Sequence, residues 1–280
     1  MKIPPRLAPL LEEGLIDSVV RQLMSGKEAM VFVVRQGDET LCAKVYKEAH
    51  KRSFRQAVDY TENRKTKNSR QARAMHKGTR YGRQAQEEAW QNAEVDALYR
   101  LAQAGVRVPK PYHFHEGVLL MELVTDETGS AAPRLNDLIF TPEAALRHHQ
   151  TLMQEIVRML CAGVIHGDLS EFNILLDATG PVIIDLPQAV DAAGNNHAAT
   201  MLARDVMNVT HYFGRFAPAL RQTEYAQEIW SLYTQGQLQP DTVLSGRYAA
   251  EHQPVDLQDI LAVIEDARAE EAERLLRMAD

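Results

Sequence analysis

The sequence has few cysteines and no long hydrophobic run. Only two cysteines occur in 280 residues, Cys42 and Cys161, and they lie far apart without CxxC or Cys/His spacing. This excludes a disulfide framework and a zinc site, and we expect two buried free thiols. No apolar run approaches the roughly 20 residues that cross a bilayer. The start, MKIPPRLAPLLEEG, places proline and glutamate where a signal peptide needs an uninterrupted apolar stretch. We therefore expect a cytoplasmic protein with no membrane partner.

Positive charge is concentrated in one segment of an otherwise acidic chain. Twelve Lys and Arg stand against three acids between Lys47 and Arg83, although the whole chain has a net charge of -7. The segment has few aliphatic residues and no helical or strand period, so we expect a flexible basic loop over 47–83. It is either an ordinary solvated loop or a docking surface for an anionic partner such as ribosomal RNA. We expect no DNA partner.

The spacing of apolar residues predicts strands in the first part of the chain and helices in the second. Three antiparallel strands are expected between Asp17 and Tyr46, and two short ones near residues 112–114 and 118–124. The other predicted elements are helices over 84–104, 141–163, 199–213 and 257–280, and a hairpin of residues 173–177 and 182–185. These elements indicate an α+β fold with two lobes, a β-rich lobe at residues 1–123 and a mostly helical lobe at 124–280.

Three polar residues around the predicted hairpin carry the most specific chemical pattern. In the stretch VIHGDLSEFNILL, four residues separate Asp168 from Asn173, and Asp185 follows at the far end of the hairpin. We expect the hairpin to bring Asn173 and Asp185 side by side, with Asp168 on the loop leading into it. This gives two oxygen ligands for a hard cation such as Mg²⁺ and one carboxylate that can accept a proton. Asp, Asn and a strand-ending Asp in this order are typical of the protein-kinase fold.

A lysine in the first part of the chain adds a positive group to the acidic and amide residues of this pattern. Lys44 lies within the apolar strand LCAKVY, where a buried ammonium needs an anionic partner. Glu94 is the expected partner because it shares one helical stripe with Trp90 and Leu98. Glu87, two turns earlier on roughly the same face, is the alternative. Protein kinases use such a Lys–Glu pair to orient ATP.

These motifs resemble the RIO family of atypical serine/threonine protein kinases, and the first RIO subfamily in a bacterial-type form most of all. The resemblance covers about residues 19 to 215. The matching stretches are SGKEA at 25–29, AKVY at 43–46, Trp90 with Glu94, MEL at 121–123, HGDLSEFN at 166–173 and IID at 183–185.

The resemblance implies an ATP- and Mg²⁺-dependent phosphotransferase, with Mn²⁺ as an alternative metal, on a two-lobed kinase-like fold without an activation segment. It implies that Asp168 is the catalytic base and that Lys44 orients the phosphates. Asn173 and Asp185 are the implied metal ligands, and Asp185 is also counted as catalytic because this position accepts phosphate covalently in some relatives. The implied nucleotide-binding residues are Ser25, Gly26, Lys27, Glu28, Lys44, Glu94, Glu122 and Leu123.

The sequence also departs from ordinary protein kinases. It has no GxGxxG loop and no APE-like segment, Gly167 replaces the Arg of the HRD motif, and Pro187 replaces the Gly of DFG. We expect autophosphorylation, phosphorylation of a protein substrate, ATP hydrolysis, or a combination of these, in ribosome-linked biology. Two alternatives stay open. One is a small-molecule kinase of the same fold, and the other is a nucleotide-gated ATPase switch that binds the ribosome or RNA.

Overall fold

The computed structural model describes residues 3–26, 28–47 and 80–248, with only the backbone described for residues 80–90. The chain divides into two compact units. The first comprises Met1–Gln103, Val108–Ala132 and Asp185–Pro187, and the second comprises Ala104–Arg107, Pro133–Ile184 and Gln188–Asp280. The first unit therefore continues past the predicted boundary at residue 123, and it includes the three residues that follow the hairpin.

A five-stranded antiparallel sheet forms the centre of the first unit, with strand order β1-β2-β3-β5-β4. Its strands are β1 (Ser18–Ser25), β2 (Ala29–Gln36), β3 (Glu39–Tyr46), β4 (Pro111–His115) and β5 (Val118–Glu122). The three strands predicted between Asp17 and Tyr46 are confirmed, as are the two later ones. Strand β5 ends at Glu122, two residues earlier than expected.

A short N-terminal helical segment, which the sequence pattern did not predict, completes the hydrophobic core of the sheet. Pro5–Leu7 forms a 3-10 helix and α1 (Ala8–Glu12) follows it. The segment contributes Leu7 and Leu10 to a buried cluster that also contains Phe32. A helix of five residues is too short to display a helical period, which is why the pattern missed it.

Helix α2 (Arg80–Gln103) begins four residues earlier than predicted. The last four residues of the predicted loop 47–83 are therefore helical, and residues 48–79 lie outside the described residues. Polar residues can continue a helix without showing any apolar period, so the apolar pattern did not reveal the first turn of α2. The predicted stripe is confirmed where side chains are described, because Glu94, Leu98 and Leu101 are all buried.

The second unit is mostly helical. Its helices are α3 (Pro142–Cys161), α4 (Ala198–Gly214) and α5 (Tyr225–Thr234). Helix α3 begins as predicted, since the Thr141 hydroxyl accepts a hydrogen bond from the N–H of Ala144. Helix α5 was not predicted, and the helix expected over 257–280 lies outside the described residues. In the part of the chain that the structure describes, no helix is long and apolar enough to cross a membrane.

Four short strands complete the second unit. They are β6 (Val164–Ile165), β7 (Ile174–Asp177), β8 (Gly180–Ile183) and β9 (Val190–Asp191). Strands β7 and β8 form the predicted hairpin, in which Asp177 pairs with Gly180 across the turn. The hydrogen bond from Ile184 N–H to the Asn173 carbonyl, 2.9 Å long, extends the pairing to the residue before Asp185.

The prediction of two buried thiols is half right. Both cysteines are free, and Cys42 is buried within β3, where burial raises its thiol pKa to about 12. Cys161 is exposed, contrary to the prediction. It is the last residue of α3, and its apolar sequence neighbours, such as Leu160, face the core on another side of the helix.

Candidate active site

The Lys44 ammonium bridges two carboxylates in the first unit. Its Nζ lies 2.5 Å from Oε1 of Glu94 and 2.7 Å from Oδ1 of Asp185. Glu94 is therefore the partner, as predicted, and the side chain of the alternative, Glu87, lies outside the described atoms. Burial would lower the pKa of Lys44, but the attraction of Glu94 and Asp185 outweighs burial and holds this pKa well above its usual value. The lysine is a fixed cation, which suits a group that binds phosphate.

Tyr46 donates a hydrogen bond to the second carboxylate oxygen of Glu94. Residues 44 and 46 lie on the same face of β3 because side chains alternate along a strand. The Tyr46 hydroxyl donates to Oε2 of Glu94 at 2.8 Å, so both oxygens of this buried carboxylate have a hydrogen-bond donor. The ring packs edge-on against Phe114, with centroids 6.2 Å apart. Tyr46 therefore holds Glu94 in the orientation that meets Lys44.

The predicted phosphate loop is the turn between β1 and β2. Gly26 N–H donates to the Ala29 carbonyl at 2.9 Å, which closes the turn. The Nζ of Lys47 donates to the Gly26 carbonyl at 2.5 Å and lies 3.3 Å from the Ser25 hydroxyl. Lys47 N–H also donates to the Glu28 carbonyl. The Lys47 side chain, directly after β3, thus holds the loop in place. Lys27, another implied nucleotide-binding residue, lies outside the described residues.

Glu122 and Leu123, two of the implied nucleotide-binding residues, form a short strip at the end of β5, where Glu122 is the last residue of the strand. Glu122 N–H donates to the Lys110 carbonyl at 2.8 Å, and its carboxylate accepts from Lys110 N–H at 3.1 Å. Paired with Leu41 in β3, the Glu122 backbone continues the same sheet that carries Lys44. The strip is thereby fixed relative to the lysine.

Asp168 and Asn173 lie in one polar loop of the second unit, between β6 and β7. The Asn173 side-chain amide donates to the Asp168 carbonyl at 2.8 Å, so the two predicted residues are held together. Gly167 has φ +81°, a left-handed conformation that favours glycine and explains why no arginine stands there. His166, 1% exposed, contacts the Ile184 carbonyl through Nε2 at 3.1 Å. The loop is therefore tied to the hairpin.

Helix α4 holds this loop through three side chains that the sequence analysis missed. The buried Asp205 carboxylate accepts from the N–H groups of Gly167 and Leu169, both at 2.8 Å. Burial raises the Asp205 pKa, opposed by His166 and these backbone donors. Arg204 donates to the Gly167 carbonyl at 2.5 Å, and Asn208 donates to the Leu169 carbonyl at 3.0 Å.

Asp185 has an unusual backbone. Its φ is +66°, a left-handed conformation that few residues other than glycine adopt, although Asp tolerates it better than most. Such strain is characteristic of functional sites. The side chain is 46% exposed, so its carboxylate can reach a ligand while it keeps the contact with Lys44.

The RIO domain family model matches residues 30–226 of this chain. The chain belongs to the RIO family. It is 35% identical over 208 residues to the RIO-type serine/threonine-protein kinase Rio1 of Haloferax volcanii, an alignment that covers 74% of this chain and 67% of that protein. The serine/threonine-protein kinase rio1 of Schizosaccharomyces pombe is 28% identical over 214 residues, covering 75% of this chain and 41% of the relative. For RIO3 of Caenorhabditis elegans the identity is 29% over 259 residues, with coverage of 89% and 47%.

Membership in the RIO family confirms the predicted family and the kinase-like α+β fold. The names of these relatives support the predicted class of enzyme, an atypical serine/threonine protein kinase. Kinases as a class use ATP and a divalent metal. These alignments cover less than half the length of the fungal and nematode relatives.

The donor set of this RIO chain fits a hard cation. The Asn173 amide nitrogen donates to the Asp168 carbonyl, and the amide oxygen makes no hydrogen bond within the described ranges. In the first unit, Asp185 carries a carboxylate that is 46% exposed. Taken separately, each is an oxygen ligand of the kind that Mg²⁺ prefers. Among the residues with described side chains, no three His, Cys, Asp or Glu residues form a metal-binding group. The side-by-side arrangement of Asn173 and Asp185 stays a prediction.

Proposed function

We propose that this chain is an ATP- and Mg²⁺-dependent atypical serine/threonine protein kinase that phosphorylates itself or a protein substrate, with ATP hydrolysis as an accompanying activity. The contact of Lys44 with both Glu94 and Asp185, in a chain of the RIO family, carries this proposal. A lysine fixed by a buried glutamate, beside a carboxylate suited to a metal, is the arrangement with which kinases position ATP.

Each residue has a distinct role in the proposed reaction. Asp168 accepts the proton of the acceptor hydroxyl as the hydroxyl oxygen attacks the γ-phosphorus, while the bond from that phosphorus to the bridging oxygen breaks and ADP leaves. Lys44 orients the phosphates, and Asn173 and Asp185 would hold Mg²⁺, which would supply charge neutralisation to the phosphates. The loop of Ser25 to Glu28 covers the phosphates, and the strip of Glu122 and Leu123 takes the adenine. Mn²⁺ is an alternative occupant of the metal site.

The roles of Lys44 and Asp168 can be separated by experiment. Asp168→Ala should lower phosphoryl transfer by about 100-fold or more while leaving MgATP binding near the wild-type level, because a base acts on the acceptor. Lys44→Ala should lower transfer at least about 10-fold because it misplaces the phosphates. Transfer is followed with γ-labelled ATP and binding by titration calorimetry. Equal loss of MgATP binding in both variants would refute the assignment of Asp168 as base.

A second function, binding of ribosomal RNA, is favoured by the charge of segment 47–83. This segment carries nine excess positive charges in an acidic chain, and phosphate backbones attract such segments in a salt-dependent manner. Replacing Arg64, Lys65 and Lys67 with serine should weaken co-sedimentation with ribosomes at low salt. Co-sedimentation that does not respond to these changes, or to salt, would remove the proposal. A cytoplasmic location remains a prediction from the sequence.

A further inference from the structure

The second unit contains a polar pocket at the beginning of helix α5. Residues from α4, from the 3-10 helix Pro218–Gln222 and from the first turn of α5 line it, and it encloses about 390 Å³ including its open mouth. Part of that volume is open solvent. The polar lining residues are Thr210, His211, Arg221, Thr223, Tyr225 and Gln227.

The first turn of α5 has no cap. Glu224 occupies the N-cap position but its side chain makes no capping hydrogen bond. The N–H groups of Ala226 and Gln227, which both line the pocket, have no acceptor in the described parts of the chain. Uncapped N–H groups at the start of a helix attract anions, because the helix dipole adds partial positive charge there.

A buried side chain without a partner points to the same ligand. Gln227 is 7% exposed and lines the pocket, yet its side-chain amide makes no hydrogen bond to any described residue. The residue is more than nine-tenths buried, but its amide stays open to the pocket, where a ligand or water can reach it. Gln227 therefore offers an unused hydrogen-bonding group to a polar ligand, independently of the helix terminus.

Arg221 supplies a full positive charge. It forms no ion pair with any described residue, and its methylenes lie against Gly214, where the Cγ is 2.7 Å from the position a Cβ would take. The lack of a side chain at Gly214 thus makes room for the Arg221 stem beside the pocket. A guanidinium presents several donors in a fixed planar fork, which matches phosphate oxygens.

The two acidic residues of this turn are engaged elsewhere. Glu228 accepts hydrogen bonds from Ser245 N–H and Gly246 N–H, both at 2.7 Å. Glu224 accepts from Tyr248 N–H at 3.1 Å. The loop of residues 245–248 thus holds both carboxylates, and neither residue lines the pocket, although burial and, second to it, the Glu228 charge acting on Tyr225 raise the pKa of that phenol.

We propose that this pocket binds a phosphate group, held by the Arg221 guanidinium, the Gln227 side-chain amide and the N–H groups of Ala226 and Gln227. These hydrogen-bond donors outnumber the two oxygens of a carboxylate. They suit the three terminal oxygens of a phosphate monoester or the four oxygens of the free phosphate ion. None of the residues that line the pocket is among the residues proposed above to bind ATP or the metal.

Titration of the ¹⁵N-labelled full chain with inorganic phosphate, at constant ionic strength, tests the site. We expect saturable shifts of the Ala226 and Gln227 amide signals with a Kd in the low millimolar range, on the order of 1 mM. Parallel titrations with O-phosphoserine and with acetate identify the preferred carrier. Tighter binding of O-phosphoserine would assign the site to phosphate esters, tighter binding of inorganic phosphate would assign it to the free ion, and acetate should bind more weakly than both.

Three variants decide the outcome. Arg221→Gln, which keeps part of the stem, and Gln227→Leu, which keeps the side-chain size, should each weaken phosphate binding about 10-fold. Arg247→Gln removes a nearby charge outside the pocket and should leave binding unchanged. Absence of saturable shifts, equal weakening by Arg247→Gln, or acetate binding as tight as phosphate would overturn the proposal. Because Arg221 and Gln227 are replaced separately, failure of one variant to fold leaves the other to decide.

Discussion

At the scale of single residues, the position of Lys44 depends on the hydrogen bonds that the two carboxylate oxygens of Glu94 accept. Lys44 takes one oxygen and Tyr46 takes the other, at 2.5 and 2.8 Å. Burial and the neighbouring Glu94 charge raise the Tyr46 pKa well above its usual value, so the phenol stays a donor near neutral pH. Without that donor, the Glu94 carboxylate is no longer held in one orientation. Its contact with Lys44 is then weakened, and Asp185 remains as the other partner of Lys44.

Tyr46→Phe should therefore lower phosphoryl transfer about 10-fold, with most of the effect in kcat. It should also lower the free energy of unfolding by about 1–3 kcal/mol, because one buried carboxylate oxygen loses its donor. Urea unfolding and steady-state kinetics measure the two effects. Tyr112→Phe, at an exposed position in β4, is the matched control and should change neither. Wild-type kcat in Tyr46→Phe would contradict the proposed role of Tyr46.

At the scale of elements, helix α4 fixes the loop that carries Asp168. Asp205 receives two backbone N–H groups of that loop on its two oxygens. An asparagine in its place would present an NH₂ group to one of these donors. Asp205→Asn should therefore lower phosphoryl transfer about 100-fold through displacement of Asp168, whereas Asp241→Asn, at an exposed position, should have no effect. Activity near wild type in Asp205→Asn would show that the loop holds its shape without this helix.

Helices α3 and α4 are also joined by a buried histidine that should make stability depend on pH. His149 is 1% exposed, its Nε2 lies 2.9 Å from the Thr210 hydroxyl, and burial lowers its pKa to about 4. The unfolded chain binds a proton at about pH 6.5, so the folded state loses stability as the pH falls from 6.5 toward 4.

Between pH 7 and pH 5, wild type should lose about 2 kcal/mol more of its free energy of unfolding than His149→Gln. Urea unfolding at the two pH values measures this difference. His115→Gln, on the exposed part of β4, serves as control and should behave as wild type. Identical pH dependence in wild type and His149→Gln would contradict the account.

Elements with many periodic residues were predictable, and so was the contact between Lys44 and Glu94, although 50 residues separate them. Alternation predicted β1 to β3, and helical spacing placed Glu94 on the buried face of α2 opposite Lys44. Asp205 was missed because it lies within a helix whose pattern indicates only packing, with no motif that links it to the loop it holds. Tyr46 was missed because an aromatic residue in a strand is most simply explained by core packing.

At the scale of the whole molecule, the sequence motifs identified the family before any geometry was known. HGDLSEFN and IID are short, but in combination they specify the loop and the hairpin end, and the match over residues 30–226 confirms the family. Charge patterning predicted a basic segment over 47–83 but did not identify what it binds. Because any polyanion attracts such a segment, the proposed partner, ribosomal RNA, is tested by the salt dependence of co-sedimentation with ribosomes.

The most direct test of phosphoryl transfer uses the pure 280-residue chain with MgATP labelled at the γ-phosphate. The account predicts protein-bound label that survives acid, as phosphoserine and phosphothreonine do, and its near absence in Asp168→Ala. Label that acid and base both remove would point to an aspartyl phosphate and an ATPase cycle. Absence of both labelling and ATP hydrolysis, or equal acid-stable labelling in wild type and Asp168→Ala, would contradict the assignment of Asp168 as the base of a RIO kinase.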